Sequence, residues 1–201
     1  MRWDRFFDDL EDQLASEWEA ERAALDTEAE RLRLSRVTLR ERLAQLCADD
    51  TAAPPVSVDF ADGSSVRAAV TAVGADWVAV VPVEGRSGAV LAPFASVSSI
   101  GMPHPDLLRS ARPAPSRPGL SDRLTFGYVL RDLVRRRAGV AVHLVSGRAL
   151  SGTIDRAGAD HLDLALHEPG APRRADAVTG HRIIPFAAVA WIAVDSSSVL
   201  S

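Results

Sequence analysis

The chain writes one pattern twice, and this limits its fold more than any other feature. Residues 56–81 lie over residues 140–165 at an offset of 84. Val56, Val58 and Phe60 meet Val140, Val142 and Leu144, and Gly63 meets Gly147. Gly74-Ala75-Asp76 meets Gly158-Ala159-Asp160, and Val78 and Val80 meet Leu162 and Leu164. The second copy then carries an insertion in the loop 167–182. The copies rejoin at an offset of 92, with Pro93-Phe94 over Pro185-Phe186. Within each copy the apolar residues recur at period two between tight turns, which predicts short strands. The Gly-Ala-Asp turns are expected to use glycine for a backbone shape that a Cβ resists, and aspartate to bond its own turn's amides.

The rest of the chain arranges itself around these copies. Residues 2–46 contain no Gly or Pro and are rich in Ala, Leu, Glu and Arg, so a helix is expected there. Trp3, Phe6, Phe7, Leu10, Leu14 and Trp18 form one apolar stripe at spacings of three and four. Leu25, Leu32 and Leu39 continue at steps of seven, the spacing of a coiled-coil contact. The charge switch near Glu30–Arg31 is a place for a bend. Residues 101–121 hold five prolines and read as a semi-extended linker. Ser121 is expected to cap a helix over residues 122–137, ended by Gly139. The expected domains are an acidic helix (1–34), a helix with strands (35–100), the linker (101–121), and a second helix with strands (122–201).

Each unit, a helix followed by about five short strands, resembles the Sm-like (LSm/Hfq-type) family. Gly147, Gly152-Thr153-Ile154, Asp160 and the closing stretch 184–194 sit where that pattern places them. The resemblance covers roughly residues 36–100 and 122–195. It implies an α+β fold: a long N-terminal helix and two tandem five-stranded barrels, each preceded by a helix. It implies edge-to-edge strand pairing, within one chain or between chains as a homo-oligomer. It also implies RNA as a partner, with Trp77 and His161 near the family's base-stacking position beside Asp76 and Asp160. The chain departs from the RNA-gripping pattern in having no asparagine, and in reading Ala92-Pro93-Phe94 and Ile184-Pro185-Phe186 where Arg-Gly is usual.

Charge argues the other way. All 23 basic residues are arginine, which together with the missing asparagine fits high-GC coding. Residues 1–30 carry eleven acids against three arginines, and an acidic helix repels nucleic acid. The arginines available to phosphate are Arg135, Arg136 and Arg137 and, on the insertion, Arg173 and Arg174. No histidine spacing matches a metal-ligand motif, no serine sits in a nucleophile elbow, and no phosphate-loop glycine pattern occurs. A non-catalytic protein without metal or cofactor is expected. Cys47 is the lone cysteine and reads as a small apolar filler. With no apolar leader and no apolar run approaching ~20 residues, a soluble cytoplasmic chain is expected. The function expected first is an RNA-associated regulator, and the alternative is a protein-interaction adaptor docking a partner through Trp3, Phe6, Phe7, Leu10, Leu14 and Trp18.

Overall fold

Val56, Val58 and Phe60 alternate with half-buried residues, so a pleated strand puts all three on one buried face. The same logic runs through both copies. The computed structural model describes residues 2–47, 54–84, 88–112, 120–171 and 173–195. After helices α1 (Arg2–Arg36) and α2 (Leu39–Cys47) come β1 (Val56–Phe60), β2 (Ser65–Val73), β3 (Trp77–Pro82), β4 (Gly88–Pro93) and β5 (Val97–Gly101). Helices α3 (His104–Ser110) and α4 (Phe126–Arg136) follow. The second set is β6 (Gly139–Leu144), β7 (Ala149–Ala157), β8 (His161–Leu166), β9 (Gly180–Pro185) and β10 (Val189–Asp195). The repeat shows in the elements themselves: β2 and β7, and β3 and β8, are offset by 84, and β4 and β9 by 92. Even the β-bulges repeat, with Thr71 and Asp155 each the extra residue. Gly63 and Gly147 both turn at positive φ, +83° and +82°.

Two five-stranded barrels do not form. The strands make one open antiparallel sheet in the order β5-β1-β2-β3-β4-β10-β6-β7-β8-β9. Each copy lines up its own strands in the same order, but β4 does not return to β5, nor β9 to β10. The hydrogen-bonding edge of β4 is taken by β10, with Leu91 opposite Ile192 and Val90 opposite Ala193. A strand edge satisfied by the other copy has no groups left with which to close its own.

The cores cross the same seam. The first holds Leu43, Val58, Phe60 and Val80 and is completed by Ala190 and Trp191 of the second copy. The second holds Leu130, Val142, Ile154 and Leu164 and is completed by Trp77, Ala79 and Leu91 of the first. Residues 39–201 accordingly form one compact unit, and residues 1–38 another.

The helices differ from expectation in detail. The helix expected over residues 2–46 breaks at Val37–Thr38, past the charge switch. Within the proline-rich stretch, α3 forms and takes Pro105 in its first turn, where no amide partner is lost. It is pinned to α2 by Arg42, which donates to Leu107 O and Ser110 Oγ. Residues 113–119 of that stretch lie outside the described residues. The helix expected from Ser121 starts at Phe126, and Arg137 in the left-handed conformation (φ 50°) ends it ahead of Gly139. Among the described residues no helix is long and apolar enough to cross a membrane.

Because each core contains the other copy's residues, the sheet unit should unfold in one transition. Leu43→Ala and Leu130→Ala, one in each core, should each lower the same urea midpoint, at a cost of about 2–5 kcal/mol. Two separate transitions, each moved by only one of the substitutions, would refute the shared core.

Candidate functional site

The Gly-Ala-Asp turns of the two copies have the same backbone and different surroundings. In each, the aspartate carbonyl accepts a hydrogen bond from the phenylalanine of the Pro-Phe step: Phe94 N to Asp76 O at 2.8 Å and Phe186 N to Asp160 O at 2.7 Å. The glycines are needed for close approach and not for a positive φ. A Cβ on Gly74 would stand 1.9 Å from Trp77 Nε1, and one on Gly158 would stand 2.6 Å from His161 Cε1. A ring folds back over its own turn in both copies.

Here the expected nucleic-acid site comes apart. Trp77 is buried, and its Nε1–H donates to Leu124 O at 2.8 Å. No face is left for a base. Asp76 does not bond its own turn. Its Oδ1 accepts the Phe126 N–H at 2.7 Å, at the first residue of α4. A carboxylate there satisfies an orphan amide and complements the helix dipole. In the second copy, Asp160 is 89% exposed and bonded to its neighbour, with His161 Nδ1 at 2.8 Å from its Oδ1. The hydrogen bond from His161 holds the Asp160 carboxyl below its usual range.

Three of the expected phosphate-binding arginines already hold carboxylates. Arg135 Nη2 donates to Asp132 Oδ1 at 2.7 Å, and Arg136 Nε donates to Asp132 Oδ2 at 2.8 Å. Arg173 makes a two-pronged pair with Asp155 at 2.6 and 2.7 Å, which drives the Asp155 carboxyl down. Arg137 and Arg174 are exposed. Of the expected docking residues, Trp3, Phe6, Phe7, Leu10 and Leu14 lie on α1, but their side chains are outside the described set. Trp18 is described, and it is exposed.

The structure assembles a cluster that the sequence reading missed. Trp191 of β10 lies at the seam between the copies, where its Nε1–H is offered to Ser64 Oγ at 2.9 Å and Asp62 Oδ2 at 3.1 Å. Its ring stacks on His143 at 3.5 Å and 9°, and on Phe60 at 5.9 Å and 28°. A cleft of about 530 Å³ opens beside it, with Arg67 and Glu84 on its wall. Partial desolvation at the seam raises the Asp62 carboxyl. Hydrogen bonds from Ser64 and Trp191, with His143 nearby, outweigh that and hold it below its usual range. The signal was a break in the repeat, because His143 and Trp191 stand where the first copy has Asp59 and Ser99.

The cluster is a seam clamp. Both acceptors of the single Trp191 indole N–H belong to the first copy, and the ring covers the first core. Among the described residues no group of three His, Cys, Asp or Glu is placed to hold a metal ion. Cys47 packs against the first core, and burial pushes its thiol pKa up, so it stays protonated and slow to react. His167 is a satisfied core histidine, with Thr153 Oγ1 at 2.8 Å and Glu168 O at 3.0 Å.

Two predictions follow from this geometry. Asp76→Ala should cost about 1 kcal/mol through loss of the helix cap, and Asp160→Ala should stay within about 0.5 kcal/mol, as for exposed sites; urea unfolding measures both. Asp62 has a folded pKa below its unfolded value of about 3.9. Its contribution is therefore present above that pH and lost as pH falls through the folded pKa. Asp62→Asn keeps an acceptor for Trp191, and should flatten the acid limb of the thermal-stability curve.

Set against known proteins, the chain matches no family model, no curated protein and no solved structure.

Proposed function

We propose that the chain is a non-catalytic protein-interaction adaptor, in which the sheet unit is the scaffold and α1 docks a protein helix with an apolar stripe flanked by basic residues. One observation carries this reading. Trp18, Leu25 and Leu32, spaced by sevens, are 65%, 65% and 51% exposed on a 35-residue helix. A step of seven keeps side chains on one side of a helix, and a Trp/Leu stripe is the kind of surface that a partner helix covers. Charge selects the partner: residues 1–30 carry a net −8, which steers toward a basic surface. Local ion pairs such as Arg33–Glu30 at 2.6 Å support the helix from within, leaving the stripe for association. The RNA-associated reading is not carried forward, because Trp77 is buried and Arg135, Arg136 and Arg173 are paired with Asp132 and Asp155.

The test is purification of the tagged chain from its host, with and without nuclease, alongside a chain lacking residues 1–34 and the triple variant Trp18→Ser, Leu25→Ser, Leu32→Ser. A protein partner should survive nuclease and be lost from both altered chains, while residues 39–201 keep their sheet by circular dichroism. Co-purification unchanged by the deletion, or RNA enrichment that nuclease abolishes, would overturn the adaptor reading.

A further inference from the structure

The cleft beside Trp191 lies on one face of the sheet, and strand register decides what that face offers. Ala68 stands opposite Pro82, and Val80 opposite Val90, so alternation puts Val66, Pro82, Glu84 and Val90 on the face of the first core. Trp191 covers that core, and His143 stands directly opposite it on β6. Arg67, one position over, alternates to the other face. Its cross-strand neighbour there is Ser57, which is bonded to Ser65. The cleft therefore has an apolar wall of Val66, Pro82 and Val90, two rings, and the carboxylates of Asp62 and Glu84.

The two carboxylates are not equivalent. Asp62 is occupied by the clamp, with Oδ1 accepting from Ser64 and Oδ2 from Trp191. Glu84 is exposed and has no hydrogen bond or ion pair among the described residues. The repeat makes the site particular to the first copy. The repeat mates, residues matched by the offsets of 84 and 92, are Glu168 for Glu84 but Arg182 for Val90, Asp59 for His143 and Ser99 for Trp191. The carboxylate is repeated, and the apolar wall and the rings are not.

We infer that this cleft binds an organic cation, a primary ammonium on an apolar chain or ring, with the ammonium on Glu84 and the body along Val66, Pro82 and Val90 beside Trp191. A volume of about 530 Å³ suits a small organic molecule. An ammonium drawn out of water needs a charged acceptor, and Glu84 is the one still open. An anion in the same place would meet two carboxylates. The lining comes from both copies, with Glu84 and Val90 from the first and His143, Gly147 and Trp191 from the second. Ligand binding thus raises the thermal midpoint of the sheet unit as a whole. The site is separate from the α1 stripe, so loss of partner capture on removal of residues 1–34 has no bearing on it.

Calorimetric titration of the full chain with 4-phenylbutylammonium tests the inference, with 4-phenylbutyrate as the body bearing the opposite charge and methylammonium as the charge without the body. The first should bind and raise the thermal midpoint, and the other two should not at matched concentration. Glu84→Gln should weaken binding about tenfold, as for a lost hydrogen bond to a charged group, and Glu84→Arg should abolish it. Glu168→Gln should leave it unchanged. Both glutamates are exposed, and circular dichroism confirms that each variant folds. In the nitrogen-15 spectrum the Trp191 indole N–H signal should move along the same isotherm while that of Trp18 stays. Absence of binding overturns the inference, as does equal binding of 4-phenylbutyrate or equal loss with Glu84→Gln and Glu168→Gln. Movement of Trp18 in place of Trp191 also overturns it, placing the cation on the acidic helix.

Discussion

Everything in the sheet unit depends on the pairing of β4 with β10. That ladder consumes the edge groups by which either copy would close on itself, and it brings two tryptophans across the boundary in opposite directions. Trp77 leaves the first copy to fill the second core, and Trp191 leaves the second to fill the first. Each buries on the order of 150–250 Å², worth a few kcal/mol at about 25 cal/mol per Å². Each also has its indole N–H satisfied, Trp77 by Leu124 O and Trp191 by Ser64 and Asp62. A buried indole without such a partner would lose much of that gain. The seam is therefore a core and a polar clamp together, and the two copies become one cooperative body.

The repeat shows how one pattern is edited for position. At the seam the mates are apolar and enclosed: Leu91, Ile192, Trp77. Toward the outer edges the mates become Ile183 and Ile100, which are more exposed, and His161, which is more polar. Asp76 and Asp160 make the same point electrostatically. One is held against a helix N-terminus, and the other stands in water beside His161. Identical local sequence has acquired a structural role in one copy and remains available in the other. The edges are softened but not blocked, since β9 keeps a bare isoleucine between an arginine and a proline-ended strand.

The arginines follow a similar economy. With no lysine in the chain, every cation is a planar fork suited to carboxylates. Arg42 ties α3 to α2, Arg40 pairs with Asp122 and donates to Gly74 O, and Arg173 anchors the inserted loop to Asp155 at a β-bulge. A basic cluster read as a phosphate surface is largely a set of internal ties. Arg135, Arg136 and Arg173 are thus paired with carboxylates of their own chain.

The sequence by itself determined the local pieces: the strand period, the turn glycines Gly63 and Gly147, the offsets of 84 and 92, and the helical residues before each copy. These depend on neighbours within a few positions, where alternation, backbone permissiveness and propensity act. Only the tertiary structure decided which edge pairs with which, and so that the copies share one open sheet instead of closing as barrels. The strands offer the same donors and acceptors to either partner, and the choice lies in side chains that meet across the seam. It likewise decided that Trp77 is core and Asp76 a helix cap, since their partners Leu124 and Phe126 lie 47 and 50 positions away. At that separation the contact is a property of the packed sheet, and no local pattern contains it.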